Sequence, residues 1–294
     1  MLPAPFTAEF LNRLEVLRLR TRKEVLGNGP GVYSSPRRGT SLEFADYRKY
    51  SPGDDLRYVD WGIFARTDRL YVRLFREEVD LFAYVFVDAS ASMAFPSVTE
   101  KFSAACNLAL ALSYVVLANH DHVRLHSLNE APAASPFLRG RNRIVDLIDF
   151  TAGIEPAGAP DLAVSLGAHL RRVRRPGKAI LLSDFLVPAD SYQKGLNLLR
   201  AFNLDIAAIQ VLSRSELEPP LSGELRLIDS ESREELNIRW NEATRRAYRE
   251  RLERHNRELK SYCHQSGIHY SMYRTDEDLT DFVLKALPTM GLFK

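Results

Sequence analysis

Asp88, Ser90 and Ser92 stand at alternate positions of the run Asp88-Ala89-Ser90-Ala91-Ser92, directly after the apolar stretch Leu81 to Val87. One carboxylate and two hydroxyls on so short a loop can converge on a single point. Hard oxygen donors of this kind suit Mg²⁺, which keeps several waters and needs few protein ligands. The same residue types also cap helices, so the five residues alone carry little weight. A second acid changes that balance. The apolar segment Ala179 to Leu182 also ends in a hydroxyl and a carboxylate, Ser183 and Asp184. In an open α/β sheet, ligands bind where the strands end, and this pair supplies a second acid at that edge.

The elements that must hold these groups can be read from the pattern around them. Leu81 to Val87 (LFAYVFV) is a continuous apolar run of strand length, as expected for a strand buried on both faces of a parallel sheet. The chain beyond it alternates in the βαβ manner. Helices are predicted at 101–118, 142–151, 161–173, 190–202, 241–265 and 279–287, with strands at 122–128, 179–182, 206–212 and 268–273 between them. Glu224 to Ile228 and Glu235 to Ile238 read as a hairpin inserted near 215–240. The first eighty residues differ in texture. Thr7 is a candidate N-cap for an amphipathic helix carrying Leu11, Leu14 and Leu17, and Gly27 to Pro36 is rich in turn residues. Residues 37–80 mix charge and aromatics without one long period. The chain is therefore expected to divide into 1–80, an amphipathic helix plus a charged and aromatic module, and 81–294, an α/β domain with the hairpin insertion.

With its D-x-S-x-S and its second acid, the larger segment resembles the von Willebrand factor A domain and its metal-ion-dependent adhesion site. The resemblance implies a mostly parallel, Rossmann-like sheet flanked by helices. In that family the two Ser are metal ligands, the first Asp acts largely through water, a second loop gives a Thr and a third an Asp. Asp88, Ser90, Ser92 and Asp184 match this pattern one by one. The Thr is expected within Gly158-Ala159-Pro160-Asp161-Leu162, and Pro160 stands in its place with no side-chain oxygen. Asp161 either approaches the ion instead or caps the following helix, and capping is the simpler reading. Mg²⁺ binding is therefore expected to be weak or absent.

A longer match lies upstream. Glu43-Phe44-Ala45-Asp46-Tyr47-Arg48, Tyr50, Pro52-Gly53-Asp54-Asp55-Leu56-Arg57, Asp60-Trp61 and Ala65-Arg66-Thr67 resemble the hallmark run of the domain of unknown function 58 family. Tyr71 to Glu78 and the D-x-S-x-S come next, in the same order as in that family. The resemblance implies a bacterial, von Willebrand A-like protein that works beside AAA+ ATPases of the MoxR type as a chaperone-like substrate adaptor or assembly factor. A MoxR-type ATPase and an unknown protein client are the partners it implies.

The signature block also has a physical reading. Asp54, Asp55, Asp60 and Asp68 interleave with Arg48, Arg57, Arg66 and Arg69, and residues 37–80 hold nine bases against nine acids. Arginine partners depress carboxylate pKa, whereas a catalytic acid needs it raised. An ion-pair network is expected, with Tyr58, Trp61 and Phe64 supplying a small core. Arg48, Asp54, Asp55, Arg57, Asp60, Trp61 and Arg66 are the candidates for binding a partner. Elsewhere, Arg171, Arg172, Arg174 and Arg175 read as a cationic helix end, and His120, His122 and His126 make a poor zinc site without nearby Cys.

Composition bounds the rest. The 294 residues carry 40 Lys and Arg against 38 Asp and Glu, a net charge of +2 that offers no global attraction to nucleic acid. Two cysteines, Cys106 and Cys263, make no disulfide framework, and no secretory signal is visible. Ala104 to Ala118 is shorter than the roughly 20 apolar residues that span a bilayer. A cytoplasmic protein without a transmembrane segment is expected. The function expected is non-enzymatic protein binding, with no catalytic residues. The alternative is a metal-dependent phosphoester hydrolase using Asp88 as nucleophile, for which Ser90 replaces the usual second acid and no Lys is evident near Asp184.

Overall fold

The computed structural model describes residues 5–19, 43–76, 81–158, 161–171, 173, 175–228, 235–289 and 291–292. They belong to two compact units, one formed by residues 1–23 and 81–294, the other by 24–80. The opening helix α1 (Ala8–Leu14) starts at Thr7, whose Oγ1 accepts from the Phe10 amide at 3.2 Å. Its apolar face, Phe10, Leu11 and Leu14, is buried in the core of the larger unit. Tyr114 donates to Glu15 Oε1 at 2.8 Å, and Asn119 Nδ2 to the Leu17 carbonyl at 2.8 Å. The helix thus belongs with the later residues and not with the signature module, because that is where its apolar face finds a core.

In the smaller unit, β1 (Glu43–Lys49) pairs antiparallel with β2 (Tyr71–Arg76), with a register shift between Phe44 and Asp46. Between them lies α2 (Trp61–Thr67), capped by Asp60, whose Oδ1 accepts from the Ile63 amide at 3.0 Å. Among this unit's described side chains, those of Val59, Asp60 and Val72 are buried. The expected aromatic core is absent from this arrangement. Trp61 is 57% and Tyr58 37% exposed, and Phe64 is half-buried, meeting Trp61 edge-on at 6.1 Å. A carboxylate takes the central place instead: the Tyr47 hydroxyl donates to Asp60 Oδ2 at 3.1 Å and Arg73 Nε at 2.8 Å.

The larger unit holds β3 (Phe82–Asp88), α3 (Ser103–Ala118), β4 (His122–Leu128), α4 (Ile144–Ala152), α5 (Leu162–Leu170), β5 (Lys178–Ser183), α6 (Ala189–Ala201) and β6 (Asp205–Leu212). Then come the short helix α7 (Arg214–Leu217), the antiparallel hairpin β7 (Gly223–Ile228) and β8 (Glu235–Trp240), α8 (Glu242–Gln265) and β9 (His269–Arg274). Helical segments from Leu279 to Thr289 come after them. The central sheet runs β4-β3-β5-β6-β9 with every neighbouring pair parallel. Residues 133–138 lie antiparallel along β4 through bridges Val123 to Leu138 and His126 to Ala134. This is the mostly parallel sheet flanked by helices that the sequence predicts, and the hairpin stands where the insertion is predicted.

Strand alternation assigns the two faces. Ala83, Val85 and Val87 of β3, with Ile180 and Leu182 of β5, face the core shared with α1, α3 and α4. Phe82, Tyr84 and Phe86, with Ala179 and Leu181, face the core formed with α5, α6 and α8. Gly177 leads into β5 so close to β3 that a Cβ there would lie 2.0 Å from the Phe82 carbonyl oxygen. With the helical turn before it, α3 forms a helical stretch Val98–Ala118 of 21 residues, longer than the apolar segment read from the sequence. By length and composition it could cross a membrane, and 78% of its most apolar window is buried inside the unit.

Candidate functional site at the strand ends

Taken in chain order, the five sheet strands lie 2-1-3-4-5, so the order reverses between β3 and β5. At such a switch point the loops on either side diverge and leave a crevice at the carboxyl ends. Asp88 ends β3 and Ser183 ends β5, so the two predicted acids flank this point. The structure places Asp88, Ser90, Ser92 and Asp184 at this one edge. Asp88 Oδ1 accepts from the Ser90 amide at 2.9 Å, and its Oδ2 accepts from the Ser183 hydroxyl at 2.5 Å. The Ser90 and Ser92 hydroxyls share a hydrogen bond of 2.9 Å. Asp184 Oδ1 accepts from the Leu186 amide at 3.0 Å, and Gln210 Nε2 donates to the Asp184 carbonyl at 2.9 Å. The loop before α5 closes the edge, with the Ala91 amide donating to Gly158 O at 2.8 Å and the Ala157 amide to Ala89 O at 2.9 Å.

Two charged residues that sequence reasoning missed complete the cluster. Lys101, in the turn before α3, is fully buried, and its Nζ lies 2.8 Å from Asp184 Oδ2 and 2.6 Å from Glu216 Oε1. Glu216 belongs to α7, which begins immediately after β6. Its Oε2 accepts from the Ser213 amide at 2.8 Å and the Ser213 hydroxyl at 3.0 Å, while Ser213 Oγ accepts from the Glu216 amide at 3.2 Å. That reciprocal capping box, Ser213-x-x-Glu216 after an apolar strand, is a visible sequence signal. Lys101 gives a weaker one, a lone cation opening an apolar helix.

Burial sets the electrostatics. Loss of hydration and then the neighbouring Asp184 charge raise the Asp88 carboxyl above its ordinary value. Burial likewise raises Glu216, against the pull of Lys101. For Lys101 burial acts downward, yet Asp184 and Glu216 outweigh it and hold the ammonium up. The donors do not fit a divalent ion at Asp184. Each oxygen of Asp184 and of Asp88 already accepts a hydrogen bond, one of them from an ammonium. The two seryl hydroxyls have the spacing of adjacent ligands on a small ion. The carboxylates that would balance its charge are already engaged, Asp184 by Lys101 and the Leu186 amide and Asp88 by the Ser183 hydroxyl and the Ser90 amide, so an ion would compete with those donors. Among the described residues no group of three or more His, Cys, Asp or Glu could hold a metal.

The remaining candidates take other parts. Asp161 caps α5: its Oδ1 accepts from the Ala163 amide at 2.8 Å and the Val164 amide at 3.0 Å. Pro160 lies outside the described residues, as do Arg172 and Arg174. Arg48 pairs with Asp54 at 2.8 Å and Arg57 with Asp55 at 2.6 Å, both exposed, and the guanidinium groups lower both carboxyls. Asp60 is lowered first by the Ile63 amide and then by Arg73, while Arg66 Nε donates to the Gly62 carbonyl at 3.1 Å. His126 Nδ1 lies 3.0 Å from His169 Nδ1, and burial pushes His126 well below the usual histidine range, whereas His122 stacks on Phe82. The expectation that no Lys stands near Asp184 is overturned by Lys101, 83 positions away in the chain.

Similarity to other proteins spans most of the chain. The uncharacterized protein Rv1480 of Mycobacterium tuberculosis is 29% identical over 276 residues, 92% of this chain and 86% of that protein. The uncharacterized protein Mb1516 of Mycobacterium bovis matches equally. Among solved structures, BatB from Bacteroides thetaiotaomicron is 12% identical with a TM-score of 0.43, covering 72% of this chain and 98% of that one. The vWF domain of the type V pili tip protein Mfa5 from Porphyromonas gingivalis is 12% identical with a TM-score of 0.33, covering 73% and 96%. Residues 46–258, from within the signature block through the cluster to α8, match the family model of protein of unknown function DUF58, and the chain belongs to that family.

Proposed function

We propose that the protein is a non-enzymatic adaptor that presents the loops after β3 and β5 to another protein. One observation carries this reading. Phe95, beyond Ser92 in the same loop, and Val98, which opens the helical stretch after it, are 53% and 47% exposed, and Leu186, two residues after Asp184, is 38% exposed. The acids themselves are buried and hydrogen-bonded within the edge. Large apolar side chains held outside a rigid polar cluster suit a protein surface. A nucleophile aimed at a substrate would need the opposite arrangement.

The partner of this reading is a MoxR-type AAA+ ATPase, acting with a protein client in the cytoplasm, and the exposed Trp61 with the Arg48, Asp54, Asp55, Arg57 and Arg66 surface is a second contact region. Co-purification with the MoxR-type ATPase encoded nearest its gene is the test. Association is expected, weakened by Phe95→Ser or Leu186→Ser; no association with or without nucleotide would overturn the adaptor reading.

Lys101 beside Asp184 supplies one part the hydrolase reading lacks. Its ammonium is enclosed by two carboxylates and fully buried, so reaching a substrate phosphate would break both pairs. Turnover of a generic phosphate ester that disappears in Asp88→Asn would restore that reading.

A further inference from the structure

We propose that Lys101 is the resident cation of this edge, so that its loops are held in place without a divalent metal. The geometry points to this directly. Lys101 sits in the connection after β3, Asp184 at the end of β5 and Glu216 in α7 after β6. One ammonium therefore ties together three successive strand-end loops across the switch point, at 2.8 and 2.6 Å. Binding carboxylates from separate loops is the task a divalent ion performs at such an edge. Here the task falls to a side chain that cannot dissociate.

The surroundings support the same assignment. The far side of each carboxylate is already occupied: Leu186 N–H on Asp184, and the Ser213 amide and hydroxyl on Glu216. An ion entering at Asp184 would have to displace a fully buried ammonium from one of its two carboxylates and leave it with Glu216 alone, which is unfavourable. Nothing in this depends on the edge's binding a protein, so a failed co-purification leaves the inference standing, and the converse also holds.

The experiment compares the wild type with Lys101→Met and Lys101→Arg, each stripped of metal and melted in chelator, Mg²⁺ or Mn²⁺, with Mn²⁺ binding tracked by electron paramagnetic resonance. The wild type and Lys101→Arg are expected to melt at the same temperature in chelator and in millimolar Mg²⁺, without stoichiometric Mn²⁺ binding at micromolar concentration. Lys101→Met is expected to melt lower and to recover part of the loss when Mg²⁺ or Mn²⁺ is added. A wild type that binds one Mn²⁺ tightly, or that melts higher in Mg²⁺, would overturn the proposal, as would a folded Lys101→Met protein that gains nothing from either ion. Should Lys101→Met fail to fold, the wild-type titration decides alone.

Discussion

The molecule holds two dense groups of opposite charges, and they behave as opposites. In the signature module Arg48 and Asp54, and Arg57 and Asp55, meet in solvent, and the pairing lowers both carboxyls. At the sheet edge Lys101 is fully buried between Asp184 and Glu216, and burial raises Glu216 although the same ammonium pulls it down. The chemistry is the same and hydration separates the two. In water the Coulomb attraction is weak and losing one partner exposes the other to solvent. In the interior the attraction is strong, but each charge has surrendered its hydration, so an orphaned partner is the larger cost. A charge pair drawn from sequence therefore says little until its depth is known.

Lys101→Met breaks the buried side of the comparison and should be the most damaging, costing about 3–5 kcal/mol in urea unfolding, since two buried carboxylates lose their counter-charge. Ser213→Ala keeps the charges and removes only the hydroxyl that caps α7 and donates to Glu216. A loss of about 1–2 kcal/mol is expected in the same assay.

Asp88→Asn sharpens the comparison through pH. Because the Asp88 carboxyl is raised in the folded state, ionising it costs more folded than unfolded, so its contribution to stability falls as pH climbs from the ordinary value of about 3.9 through the raised one. The variant should thus gain on the wild type between acid and neutral pH. A variant that instead loses ground to the wild type as pH rises would contradict the shift. Lowered Asp54 and Asp55 work the other way: their contribution is present above about 3.9 and is lost in more acid solution, and exposure keeps it small. Arg57→Ala and Trp61→Ala come last, with denaturation midpoints indistinguishable from the wild type, so any loss of ATPase binding in them reports contact and not unfolding.

The parts legible in the sequence share one property: their signal is local. LFAYVFV marks a strand buried on both faces, Thr7 and Asp161 act as caps, and D-x-S-x-S falls at a strand end because three residues fix it. Lys101 escaped because its partners stand 83 and 115 positions away. A lysine opening an apolar helix reads as solvated, and only a pairing that the fold creates makes it worth burying. Trp61 shows the converse error. Aromatics are expected inside, yet this residue opens a seven-residue helix whose inward position is taken by Asp60, where an amide, a tyrosine and an arginine already converge.

The position of α1 bears on how the chain is made. Its contacts Glu15 to Tyr114 and Leu17 to Asn119 span 99 and 102 positions, with the whole signature module between. Emerging from a ribosome at roughly 5–20 residues per second, the apolar face of Phe10, Leu11 and Leu14 has no binding surface until α3 has emerged too. For that interval the nascent chain carries an uncovered apolar helix upstream of the signature module, and a chaperone that meets it early has a ready handle.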